Sequence, residues 1–116
     1  MNIAICLDYL FPNSTRADWT VSNDGSGQKI TMWNLPDPQP TNAELQSAWD
    51  AANAANGWEL VRGERQTLLE GSDWTQLGDV SLTPTQVGEW EVYRQALRDI
   101  TTQPDPYNIT WPTPPA

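Results

Sequence analysis

Residues 83–100 read TPTQVGEWEVYRQALRDI, and they decide the fold because every local signal in them agrees on a helix. Thr83 stands as N-cap, Pro84 takes the first helical position where its missing N–H costs nothing, and Gln86 sits at the third position of a capping box. Val87, Trp90, Tyr93, Leu97 and Ile100 then fall on one face. Glu91 and Arg94 are spaced as an i, i+3 pair, and Arg98 occupies the last turn, where the helix dipole favours a cation. A stripe of this kind is expected to be core, packing this last helix against the first, with Arg94 and Arg98 fixing the loop and the tail by charge-assisted hydrogen bonds.

Working backwards, NLPDPQP at 34–40 cannot continue a helix or a central strand, since its prolines lack N–H donors and bias the preceding residues to extended geometry. Directly after it, Thr41 to Glu44 spells another capping box, Leu45, Ala48, Trp49 and Ala52 recur at helical spacing, and Gly57 stands where a helix would end. A further helix is expected from about Val61 to Glu70, with Val61, Leu68 and Leu69 inward and Gly71 ending it. SDWTQLGDVSL has neither period, and reads as an ordered loop pinned by Trp74 and Leu77.

The first third reads as β. NIAICL at 2–7, WTVS at 19–22 and QKITMW at 28–33 are short, apolar and partly β-branched, and SNDGSG between the last two offers glycines for a hairpin turn. Asn23, Asp24 and Ser26 lack the spaced acids and closing Glu of a calcium loop, so a plain turn is expected. The class is therefore α+β: an N-terminal β-meander over 1–35, a proline linker over 36–40, and a helical part with an extended proline-rich tail over 41–116. That tail holds five of the ten prolines and is expected to dock through Tyr107, Ile109 and Trp111.

Composition closes several function classes. With 15 acidic and 6 basic residues in 116, the net charge of −9 leaves little cationic surface for nucleic acid or anionic lipid. No run approaches the ~18 apolar residues of a membrane span, and the N-terminus lacks the pattern of a secretory signal. The absence of histidine removes the commonest general base, the imidazole ligands of most zinc sites and the usual nucleophile triads. Cys6, the one cysteine, lies in an apolar run and is expected to behave as a small buried hydrophobe. No cofactor, metal or small-molecule substrate is implied.

The 7 Trp exceed what one small core needs. Trp49, Trp74 and Trp90 are assigned to the core, leaving Trp19, Trp33, Trp58 and Trp111 for a partner. Among the acids, Asp73 beside Trp74 invites a raised pKa, although an Asp capping the following turn is the commoner arrangement.

RQTLLEGSDWTQLGDVSL at 65–82, WEVYRQALRDI at 90–100 and ITWPTPP at 109–115, in that order, resemble the bacteriophage tail fibre assembly chaperones. LDYLFPNS at 7–14 and WNLPDPQPTNAELQSAW at 33–49 are similar to the N-terminal portion of related small phage tail proteins, so the likeness covers nearly the whole chain. It falls on Asp73, Trp74, Trp90, Tyr93, Arg94, Leu97, Arg98 and Pro112, with one departure: the family often has proline after the aspartate at position 79, where this chain has Val80. The resemblance implies a partner, a trimeric tail fibre whose folding and trimerisation the protein assists at the distal end. It further implies action in the host bacterial cytoplasm, with retention on the virion tail in some members, and no catalytic residue. Two other readings follow from the residues: a permanent tail or baseplate component capping the fibre tip, and a carboxylate glycosidase built on Asp73 and Glu70.

Overall fold

The computed structural model describes residues 1–116 as helix α1 (Ile3–Leu10), strands β1 (Trp19–Asn23) and β2 (Gln28–Trp33), helix α2 (Asn42–Ser72), a 3-10 turn (Asp73–Gln76), helix α3 (Pro84–Arg98) and a second 3-10 turn (Ile100–Thr102). The class is α+β, with a two-stranded antiparallel sheet. Two compact units, Met1–Asn56 and Gly57–Ala116, meet within α2 rather than at the proline segment 36–40.

In the first unit, the stretch expected as the first strand of a meander is α1. Two features outweigh the β-branched Ile3 and Ile5. Asn2 Oδ1 accepts from the Ile5 amide at 3.2 Å as an N-cap, and Ile3, Cys6 and Leu7 bury one helical face. That face joins Trp19, Leu45 and Ala52 in a single core, with Trp33 and Trp49 packed against it. Cys6 Sγ donates to the Leu45 carbonyl at 3.6 Å, and burial pushes its thiol pKa up, as suits an inert core cysteine.

The hairpin pairs Trp19 with Trp33 and Asn23 with Gln28, with an irregularity between Thr20 and Val21. Gly25 and Gly27 have φ of 92° and 111°, values that favour glycine. Asp24 Oδ1 accepts from the Ser26 amide and hydroxyl, and its other oxygen pairs with Lys29 at 2.8 Å. The Lys29 and Ser26 contacts hold the Asp24 pKa down at about 2. These oxygens therefore serve a turn. A two-stranded sheet is marginal alone. This one is anchored by Trp19, which is fully buried and whose indole N–H donates to Ser14 Oγ at 2.9 Å.

In the second unit, α2 continues through Gly57, Gly63 and Gly71, so the two helices expected over 41–57 and 61–70 are one. Gly57 does not stop the helix; it admits a neighbour. A Cβ there would lie 2.8 Å from the Tyr107 ring and 2.9 Å from Pro106 Cβ. The chain after α3 is held in that position by reciprocal amide bonds: Gln103 Nε2 donates to the Thr110 carbonyl at 3.0 Å and the Thr110 amide donates to Gln103 Oε1 at 2.9 Å. Val61, Tyr93, Leu97 and Ile100 are buried in this unit. The capping box at Thr83 and Gln86 forms in both directions with Pro84 in the first turn, as the sequence predicts.

The glycines of α2 make opposite predictions. Alanine in a helix interior gains about 1 kcal/mol over glycine, and nothing lies within 4 Å of a Cβ on Gly63. Overpacking costs about 1–3 kcal/mol. Thermal melts should therefore rank Gly63→Ala above the parent and Gly57→Ala below it; Gly57→Ala melting at or above the parent would contradict the tight approach of Tyr107 and Pro106.

Candidate partner-binding surface

Where α2 ends, Ser72 donates to the carbonyls of Leu68 and Leu69 at 3.0 and 3.1 Å, and Thr75 Oγ1 donates to the Ser72 carbonyl at 2.6 Å. Both are buried, Ser72 at 3% exposure and Thr75 at 0%. Side chains bonding their own helix carbonyls loosen a terminal turn, and here the chain passes into the 3-10 turn Asp73–Gln76. The loop is thus pinned by Thr75 and not, as expected, by Trp74 and Leu77, which are 48% and 59% exposed.

Arg94 binds this junction from α3. One of its nitrogens donates to the Leu69 carbonyl at 2.8 Å and to Ser72 Oγ at 2.7 Å, and the other donates to Asp73 Oδ1 at 2.9 Å. The expected Glu91–Arg94 pair is replaced by these contacts. An exposed helical ion pair is worth about 0.3–0.5 kcal/mol, whereas hydrogen bonds from a charged group to neutral acceptors are worth about 1.5–3 kcal/mol. Arg94 accordingly turns inward, and Asp73, with 62% of its side chain exposed, closes the far side of the fork.

The junction sets three rings in series. Trp74 meets Trp90 edge-on at 5.8 Å between centroids, and Trp90 meets Tyr93 edge-on at 5.5 Å. Burial deepens along the series: Tyr93 is buried, Trp90 is half-buried and Trp74 is open. Such edge-on pairs contribute about 0.5–1.5 kcal/mol beyond the area they bury.

Asp73, Trp74, Trp90, Tyr93 and Arg94 are therefore brought together. Leu97 is fully buried. Arg98 does not reach the tail; it donates to Gln95 Oε1 on its own helix, while its carbonyl accepts from Arg65 at 3.3 Å. Pro112 and Trp111 are half-buried.

Of the indoles reserved for a partner, Trp19 is a core residue, with the Arg16 guanidinium 4.1 Å over its ring. Trp33 is half-buried and donates to the Asp37 carbonyl at 2.8 Å, fastening the proline segment. Trp58 is half-buried on α2. Trp74, assigned to the core, is the most exposed indole of the chain. The stretch SDWTQLGDVSL has no period that would have marked Trp74 as open.

The carboxylates proposed for glycosidase chemistry are engaged separately, Glu70 accepting from Gln66 at 2.9 Å and Asp73 pairing with Arg94. In the first unit, Leu10 borders a shallow groove with Ala43, Glu44, Ser47 and Ala48.

Residues 58–116 match the family model described as phage tail assembly chaperone protein, just over half of the chain, and residues 3–56 match the model described as XkdW protein. The division falls where the two compact units divide. The chain is similar to the phage-like element PBSX protein XkdW of Bacillus subtilis (strain 168), 46% identical over 43 residues, which make up 36% of this chain and 39% of that protein. It thus spans well under half the length of that curated relative. The solution NMR structure of the phage-like element PBSX protein XkdW is 41% identical, with 43% of this chain and 85% of that one covered at a TM-score of 0.39.

Magnitudes separate the contacts of Arg94. Arg94→Lys keeps the charge but loses the fork and should lower stability by about 1–2 kcal/mol, while Asp73→Asn should cost less than about 1 kcal/mol. Urea denaturation measures both; an Asp73→Asn loss equal to that of Arg94→Lys would show that the ion pair dominates.

Proposed function

The chain belongs to the phage tail assembly chaperone family, and from that membership we propose that it binds a trimeric tail fibre protein at its distal end and promotes its folding and trimerisation. A role in phage tail assembly follows from the family itself, and the match over residues 58–116 is the observation that carries it. The role is exercised in the host cell while tails are built. No helix is long and apolar enough to cross a membrane.

Fibre folding explains why such a helper is useful. A trimeric β-rich fibre closes through pairings distant in sequence, which form slowly and leave apolar edges exposed to aggregation. A stoichiometric binder that covers those edges needs apolar anchors of its own, and Trp74 and Leu77 are open for contact. It must also stay dispersed while carrying them, and a net charge of −9 supplies the repulsion between copies. Trp33, Trp58 and Trp111, each half-buried, supply further contacts in this reading, and a copy left on the fibre tip becomes part of the virion tail. Assembly chaperones as a class are not enzymes, and the reading assigns this chain no catalytic residue and no cofactor.

Co-expression with the tail fibre gene of the same phage tests the proposal. A soluble fibre trimer, sized by light scattering, is expected only when this chain is present and to carry it in a fixed ratio. An equally soluble trimer formed in its absence would remove the chaperone role.

A further inference from the structure

In the second unit, Trp74 and Leu77 stand on neighbouring positions of one 3-10 turn and its exit, the Leu77 amide donating to the Trp74 carbonyl at 3.4 Å. Behind Trp74 the half-buried Trp90 fixes its tilt. The result is an exposed indole that meets Trp90 edge-on, with the exposed Leu77 three residues on. Trp74 is 48% exposed and Leu77 59%, so the two together offer a small apolar point at the end of the helix.

Asp73 adjoins Trp74 in the chain, and Glu89 and Glu91 flank Trp90, whose ring meets Trp74. Residues 70–91 contain five carboxylates, those of Glu70, Asp73, Asp79, Glu89 and Glu91, and no lysine or arginine. Only Asp73 among them has an ion-pair partner, and that partner, Arg94, is already committed to the helix end. An aromatic face in an acidic field attracts a cation twice, by the ring quadrupole and by the carboxylates. A second copy of this chain is the wrong occupant, because it would bring −9 against −9 and set these same carboxylates against one another. The chain itself shows the favoured geometry elsewhere, with the Arg16 guanidinium lying 4.1 Å over Trp19.

We propose that Trp74, backed by Trp90 and flanked by Leu77, is the docking site for an arginine-bearing segment of the tail protein that this chain chaperones. The proposal rests on the functional reading above for the identity of the partner, and on the indole and its carboxylates for the chemistry. The guanidinium stacks on Trp74, its aliphatic stem lies along Leu77, and the carboxylates of 70–91 steer its approach.

Two experiments on the full chain separate the chemistry from the functional reading. In the first, the indole N–H resonances are followed by NMR while a blocked Gly-Arg-Leu-Arg-Gly peptide, or the same peptide with citrulline for arginine, is added. The Trp74 and Trp90 signals should move with the arginine peptide alone, and its affinity should fall about fivefold or more from low to high salt. Equal binding of the citrulline peptide, shifts confined to Trp33, Trp58 or Trp111, or Trp74 shifts that depend only on the chain's own concentration would each overturn the site; the last would identify a second copy as the occupant.

In the second, Trp74→Ala and the exposed double change Glu70→Lys with Asp79→Lys replace the parent in co-expression with the fibre, after thermal melts confirm folding. The yield of soluble fibre should fall about tenfold with either. Should the parent keep the fibre soluble and the charge-reversed variant do so equally, the docking site is wrong and the chaperone stands. Should the parent itself fail, the functional reading falls, and the peptide titration decides the site.

Discussion

The guanidinium of Arg94 is the constraint on which the second unit depends. It holds three acceptors, the Leu69 carbonyl, Ser72 Oγ and the Asp73 carboxylate, at the one place where a 31-residue helix gives way to a 3-10 turn. The Leu69 carbonyl already accepts from the Ser72 hydroxyl, and a charged donor with a fixed fork adds a second bond to it from another helix, worth about 1.5–3 kcal/mol. Everything further along follows from that tie. The 3-10 turn follows directly on the tied helix end, Trp74 is set on Trp90, and Trp90 is set on the buried Tyr93. Arginine is required for this, because lysine is a point charge that cannot span a carbonyl, a hydroxyl and a carboxylate at once.

The first unit solves its own packing separately, around Trp19. That indole is wholly enclosed by α1, α2 and the hairpin, and it gives a sheet of two strands the apolar backing it lacks alone. The boundary between the units at Asn56 and Gly57 matches the boundary between the two family models. Glycine at that boundary serves the second unit, since it lets Pro106 and Tyr107 approach the helix axis. The chain is thus a pairing of two modules through a shared helix, of which the C-terminal one carries the chaperone family membership and the open indole.

How much was legible in the sequence depended on how local the chemistry was. The cap at Thr83, Pro84 and Gln86 involves residues within one turn, and it forms as the sequence predicts. The turn at Asp24 to Gly27 is equally local and equally correct in outline. By contrast, Ile3 and Ile5 favoured a strand by propensity, and the helix won because its apolar face meets Trp19 and Leu45, contacts no short window contains. Gly57 looked like a helix stop because its reason, the ring of Tyr107, lies 50 residues away. The indoles were misassigned in the same manner: Trp19 is core and Trp74 is open, since burial is decided by what else arrives at the site. Three ordered strings sufficed for the family, while the surface those strings build needed the structure.

The central claim is that the segment around Trp74, held by Arg94, is where the tail protein binds. Hydrogen–deuterium exchange of the chain alone and in its purified complex with the tail fibre protein tests this directly. Slowed exchange across residues 70–80 and 87–93, exceeding any change in the hairpin at 19–33, is the predicted result; protection of the hairpin at 19–33 with 70–93 left as in the free chain would place the partner on the other unit and contradict the account.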